Sequence, residues 1–446
     1  MITPFLAQGN SLFSRLSNFA EVFPAWVLLL AMIFLLGSVQ LAFSKNAFLL
    51  IPIYLVMCMF SGHTINQLDT GTTLFRWWLI FCFSATALKM GRYPGPICMM
   101  LGCYWLFSLF SVLWSPNFSG GIQLSGLNIL MNIGGSCAIA GLILSPLEVK
   151  KTAELYCLMS IIFIFNGFVS IGSMSGSRFA GALGDSVGIF VITGGLLMPA
   201  LLWAFICRSK GTRIAAGVGF TFVSLLCVLS GTRTGLFAGV LGSLSLLFQF
   251  DAKAFVRAMV ALIITVIFCL SAVQLFPQQT DFISSRYFET DRSGNLSIRT
   301  NTTGRDELWK KAFDKTVERP VLGRGAAADK KARIGGFHNA YLQEWYNSGI
   351  VGVLLFFGAS ILALFKTFRL TQSKTLDKEC LQISRLLFAW MIVLFLVSFF
   401  ESKLTSPSNI MAFTMVLIGV MTYRLEIHAN SIGHAPIHIQ ITDRTL

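Results

Sequence analysis

His338 is the residue on which chemistry in this chain would turn. It opens the segment His338-Asn339-Ala340-Tyr341-Leu342-Gln343-Glu344-Trp345-Tyr346-Asn347-Ser348-Gly349-Ile350-Val351-Gly352, where the one long polar stretch returns to an apolar run. An imidazole has a reference pKa of about 6.5, so at a membrane boundary it can take or release a proton near neutral pH. It can equally be structural, capping the helix that follows. Three arginines stand at similar boundaries. Arg233 lies in Ser230-Gly231-Thr232-Arg233-Thr234-Gly235, a polar break between two apolar runs with no acidic residue near it in sequence. A charge there is costly unless it faces protein or water, so Arg233 is either a functional cation or a snorkelling interface anchor. Arg305 begins a helix that the spacing of Leu308, Trp309, Ala312, Phe313, Thr316 and Val317 predicts, ending before Pro320. Thr303 and Asp306 resemble a capping box, which puts Arg305 in the first turn, beside unpaired backbone N–H groups that attract anions. Pairing with Asp306 is the plainer role for it. Arg178, in Ser177-Arg178-Phe179, is as readily a partner of Asp185 as a substrate contact.

The elements that hold these residues are membrane spans. Of 446 residues, 55% are hydrophobic and 12% charged, with a mean hydropathy of +0.72, which excludes a soluble domain and describes an all-α polytopic membrane protein. Apolar runs predict 12 or 13 helices, near 23–43, 47–60, 74–88, 97–113, 124–145, 153–172, 187–207, 214–230, 235–250, 256–276, 349–365, 386–400 and 408–423. The first 22 residues lack a signal-peptide pattern and read as a surface-lying helix. The ten cysteines avoid the long polar stretch, so no disulfide framework is expected.

A net charge of +14 raises nucleic acid as a partner, but its placement speaks for topology instead. Lys89 and Arg92, Lys150 and Lys151, Arg208 to Arg213, Lys253 and Arg257, and Lys366 to Arg385 fall in alternate loops. That is the positive-inside pattern. It places 61–73, 114–123, 173–186, 231–234, 277–347 and 401–407 outside, the C-terminal tail in the cytoplasm and the N-terminus outside. Residues 277–347 hold 21 of the Asp, Glu, Lys and Arg residues, so this loop is solvated and is of a size to cover a site rather than fold alone. The expected organisation is a transmembrane bundle over 1–276, a periplasmic loop carrying the site over 277–347, further transmembrane helices over 348–424 and a cytoplasmic tail over 425–446.

Several of these segments together carry a resemblance. Arg233 after a span, Gly304-Arg305-x-x-x-Trp309, Pro320-x-x-Gly323-x-Gly325, His338-Asn339-x9-Gly349-x-x-Gly352 and Leu113-Trp114-Ser115-Pro116 together resemble the bacterial O-antigen ligase and polysaccharide polymerase superfamily. Gly181 to Val187 departs from the Asn-Pro-Asn that many members show after the glycine. The resemblance implies a metal-independent, inverting glycosyltransferase of the inner membrane, with its site facing the periplasm and no cofactor. The implied donor is an undecaprenyl-diphosphate-linked glycan, and the acceptor is a glycan or a lipid A core. Membrane lipids, flippases and chain-length regulators are the implied partners, and nucleic acid is not one.

In that chemistry the leaving diphosphate calls for fixed cations, which Arg233 and Arg305 would supply. The acceptor hydroxyl calls for a base, which His338 would supply. Arg178, Trp309, Arg324, Asn339 and Tyr341 are the expected substrate contacts. Gly304 to Trp309 followed by Pro320 to Gly325 looks more like O-antigen and exopolysaccharide polymerases than like ligases. No external Asp-x-Asp, His-Glu-x-x-His or P-loop pattern points to another chemistry, and the early external loop holds only Asp69. A flippase for the same glycans is the competing class; it predicts charges inside spans and internal repeats, and few of the former and none of the latter are read here. A scaffold of an export complex would leave His338 free to vary.

Overall fold

The computed structural model describes residues 25–59, 66–170, 193–275, 284, 288–290, 296–298, 305–332, 337–406 and 409–433. The N-terminal surface helix, Arg178, Thr303 and Gly304 lie outside the described residues. The described chain is all-α apart from one two-stranded ribbon, in which β1 (Phe288–Thr290) pairs antiparallel with β2 (Leu296–Ile298). The helices are α1 (Ala25–Ala42), α2 (Leu50–Met59), α3 (Asn66–Met90), α4 (Pro96–Ser111), α5 (Phe118–Leu142), α6 (Pro146–Ser170) and α7 (Gly194–Cys207). They continue with α8 (Lys210–Leu229), α9 (Arg233–Leu247), α10 (Ala252–Gln274), α11 (Arg305–Val317), α12 (Ala340–Thr371), α13 (Lys378–Phe400) and α14 (Ile410–Gly433). Eight of these are long and apolar enough to cross a membrane, so the chain is a multi-pass membrane protein. The amphipathic α11 is not among the eight, since its surface is charged.

Helices α3, α6 and α13 begin seven or eight residues before the expected runs, at Asn66, Pro146 and Lys378, and three further boundaries differ from the hydropathy reading. Helix α5 starts at Phe118, inside the expected external turn, and carries a π-helical stretch over Leu130–Gly135. Its weak helix formers are held by packing: Gly121 is buried against Ala326 and Val112. At the other end of the chain, 425–433 is helix rather than tail. Leu425 is buried, Glu426 receives Lys366 Nζ at 2.6 and 2.8 Å, and Arg424 donates to the carbonyls of Ala140 and Ile143. Finally, α12 begins at Ala340, nine residues before the apolar run, and is broken at Gly349 (φ 63°, ψ −169°).

That break is built by two of the glycine motifs acting on each other. Bending the chain at Gly349 strips helical partners from the flanking peptide groups, and the Pro320–Gly325 segment replaces them. Ile350 N donates to Pro320 O at 2.8 Å, Arg324 N to Tyr346 O at 3.0 Å and Gly325 N to Asn347 O at 2.8 Å. The approach leaves no room for a side chain. A Cβ on Gly349 would lie 2.1 Å from Val321 O, and one on Gly323 2.5 Å from Asn347 O. The same loop rests on the Leu113-Trp114-Ser115-Pro116 segment, where Ser115 Oγ donates to Ala326 O at 2.7 Å and Lys331 Nζ to Pro116 O at 2.8 Å.

Helix α13 is the axis of the half that carries the site, packing on α12 and on α9. A Cβ on Gly242 of α9 would come within 2.6 Å of Val393 Cγ2 and 3.1 Å of Ala389 O, so the glycine is what lets the two helices touch. Gly195 of α7 meets both Gly235 and Val393, and Arg208, just past the end of α7, lies 3.2 Å from Glu379 in the first turn of α13; α8 then carries the chain back, so α9 runs antiparallel to α13. The first residue of α9, Arg233, and the last turn of α13 therefore lie at the same end of the bundle.

Candidate functional site

Glu401 caps the end of α13 and is the centre of the site. Its side chain is only 5% exposed, and each carboxylate oxygen has a cationic or ionisable neighbour: Oε1 lies 3.2 Å from Arg305 Nη2, and Oε2 lies 3.5 Å from His338 Nδ1. Arg305 thus pairs with a carboxylate on a distant helix. A buried carboxylate needs such partners, since burying an unpaired one is expensive. The His338 contact is at ion-pair range, longer than a good hydrogen bond.

The imidazole is held from the backbone side as well. His338 is one of two non-glycine residues with positive φ among the described residues (47°), a conformation histidine tolerates better than most residues. On one side of it, Phe337 O accepts Trp309 Nε1 at 2.9 Å, which pins α11 and its first residue Arg305 to the His338 strand. On the other side, Asn339 caps α12, its Oδ1 accepting from Leu342 N at 2.9 Å. The His338 side chain stays 46% exposed. With Nδ1 turned to Glu401, Nε2 is the nitrogen turned away from the carboxylate, and an exposed ring nitrogen can take a proton from an incoming hydroxyl.

Arg233 heads α9 at the same end of the bundle, half-buried, following a turn in which Gly231 has a φ of 62° and Ser230 and Thr232 are hydrogen-bonded at 2.7 Å. Other expected site residues have structural engagements. Arg324 pairs with Glu318 and lies 5.4 Å from the Tyr346 ring centre, on the interlocked loop. Tyr341 is buried among Phe356, Phe357, Phe395 and Phe399. Trp309 and Asn339 both line a cavity of about 390 Å³ between α11 and α12.

Glu401 is what the sequence reading missed. The one available signal was parity, because the same alternation that puts His338 outside puts the end of the 386–400 span outside too. Glu344, nearer in sequence, takes a hydrogen bond from the Tyr104 hydroxyl instead. Another passed-over charge is Arg76, buried within α3, where Nε donates to Thr72 O at 3.1 Å and Nη2 to Thr73 Oγ1 at 2.7 Å. One group of metal-ligand types, Asp377, Cys380 and His428, also converges among the described residues. It lies at the opposite end of α13 from Glu401.

Residues 218–357 match a family model described as O-Antigen ligase. The chain matches none of the curated proteins. The matched segment contains Arg233, Arg305 and His338 and stops before α13, so Glu401 lies beyond it.

Proposed function

We infer that this chain, whose residues 218–357 carry the O-Antigen ligase match that supports its place in the O-antigen ligase and polysaccharide polymerase superfamily, transfers glycan from undecaprenyl diphosphate at the periplasmic face of the inner membrane. The observation that carries the reading is the sharing of Glu401 between Arg305 and His338 at an end of the bundle where Arg233 also sits. In the proposed reaction an acceptor hydroxyl loses its proton to His338 Nε2 as its oxygen attacks the anomeric carbon. The bond from that carbon to the phosphate oxygen breaks, and the electron pair leaves with the diphosphate. Arg305 and Arg233 offset the developing charge, and the single displacement inverts the anomeric configuration. Glu401 would hold the imidazole in the tautomer that accepts at Nε2 and keep Arg305 beside it.

Polymerisation of O-antigen or exopolysaccharide repeat units is the first reading, because of the Pro320–Gly325 segment after the Arg305 helix. Ligation of finished glycan to a lipid A core is the second, favoured by the description of the matched family. Cells lacking the gene separate the two. Single repeats in the glycan profile indicate a lost polymerase, and full-length chains left on undecaprenyl diphosphate a lost ligase. Complementation by His338→Ala is expected to fail with the protein present in the membrane; normal glycan from that variant would refute the catalytic assignment. Intermediates trapped on the cytoplasmic face would favour a flippase.

A further inference from the structure

The two ends of α13 carry different groups: Glu401 closes one, and Asp377, Cys380 and His428 converge at the other. Residues 401–409 turn the chain back, so α13 and α14 pack as a hairpin, and the last turns of α14 lie beside the first turn of α13. Asp377 caps α13, its Oδ1 accepting from Cys380 N at 2.8 Å, and the three-residue spacing puts both side chains on one side of that turn. From α14, His428 brings Nε2 to 3.8 Å from Asp377 Oδ2. One ligand atom of each residue lies within 4.8 Å of the other two. Cys380 is a free thiol and is buried, whereas the Asp377 and His428 side chains are 57% and 29% exposed. The intervening carboxylate, Glu379, is engaged by Lys150 and Arg208 instead.

We propose that Asp377, Cys380 and His428 bind a zinc ion that staples the start of α13 to the end of α14, a structural site remote from the transfer chemistry and independent of it. The donor set is the first ground. A thiolate and an imidazole favour Zn²⁺ over Mg²⁺ or Ca²⁺, which take oxygen ligands. The spacing is the second. At 3.8 Å, His428 and Asp377 are too far apart for a hydrogen bond. Two ligands on one tetrahedral zinc ion stand about 3.3–3.5 Å apart, given bonds of about 2.0–2.3 Å. Closing the set around an ion therefore takes movements of about an ångström, which the two exposed side chains are free to make. Charge is the third ground. As the sulfur–zinc bond forms, the thiol proton passes to solvent, and thiolate and carboxylate then cancel the two charges of the ion. A neutral site suits a membrane boundary. Three protein ligands leave one tetrahedral position, open to water on the exposed Asp377 side. A plain ion pair between His428 and Asp377 would make no use of the sulfur.

Full-length protein in detergent, purified through a tag without histidines and stripped with a chelator, tests this by titration with Co²⁺ as a spectroscopic stand-in for zinc. One Co²⁺ per chain is expected, with a thiolate-to-cobalt charge-transfer band and the intense visible bands of a tetrahedral ion, all lost when Zn²⁺ is added. Cys380→Ser should lose the charge-transfer band. Asp377→Asn still caps the helix, so it should weaken Co²⁺ binding by at least about tenfold with the protein folded. Zn²⁺ should raise the unfolding temperature of the unaltered protein and leave that of Cys380→Ser and His428→Gln unmoved. No charge-transfer band in the unaltered protein, or one that persists in Cys380→Ser, overturns the site. So does Co²⁺ binding that disappears when His434 and His438, further along the sequence, are both changed to alanine. Binding with no rise in unfolding temperature overturns the staple.

Discussion

The Glu401 cluster and the interlock at Gly349 both involve the start of α12 or the residues just before it, and they are built on opposite plans. In the cluster, ionisable side chains from three elements meet at 3.2 and 3.5 Å, with the His338 ring still half exposed. In the interlock, backbone meets backbone at 2.8 to 3.0 Å, and two glycines leave no space for a Cβ. Residues of both regions belong to the same family-like pattern, yet only one region presents groups that can move protons or hold anions. The spacing of a motif can therefore have either of two physical causes, close packing of backbone or presentation of reactive groups. The interlock sets where α12 starts, and so where His338 stands; the cluster keeps the freedom to meet a substrate.

Gly349→Val would force a β-branched residue into a left-handed conformation, at roughly 1–2 kcal/mol, and add a clash with Val321 O. The expected outcome is loss of monodisperse protein from detergent extracts along with activity, so intact protein would contradict the interlock. His338→Ala should do the reverse, lowering turnover by about 10²- to 10⁴-fold while the unfolding temperature stays unchanged. Glu401→Gln keeps shape and removes charge. Turnover is expected to fall by about 10- to 100-fold, the scale of losing an orienting partner, with partial recovery in Glu401→Asp; unchanged turnover would remove Glu401 from the site. The smallest effect is expected for Ser115→Ala, which removes the bond to Ala326 O and should cost about 1 kcal/mol in chemical denaturation with transfer retained.

Much of the scaffold was legible because the bilayer enforces it. Runs long enough to span and a charge alternation located most helix ends to within a turn, and three of the exceptions share a cause. Phe118 to Gln123, residues 425–433 and Ala340 to Ser348 are polar or mixed in composition, and they are helical because distant residues pack on them or bond to them. Hydropathy has no access to that. The glycine motifs stood out as spacings, but nothing local told that Gly323 and Gly349 touch each other. Arg324, singled out for its charge, turned out to be paired with Glu318 beside the Tyr346 ring.

From the sequence alone came the class of the protein and the expectation that His338, Arg305 and Arg233 collect at one boundary. Both follow because an unpaired charge is costly in hydrocarbon and cheap at an interface, a rule that acts on each residue alone. Only the tertiary structure decided which partner each one has. Glu401 stands at the end of a different span from His338, and its place between imidazole and guanidinium follows from how α13 packs on α9 and α12, a contact between distant segments that no local pattern encodes.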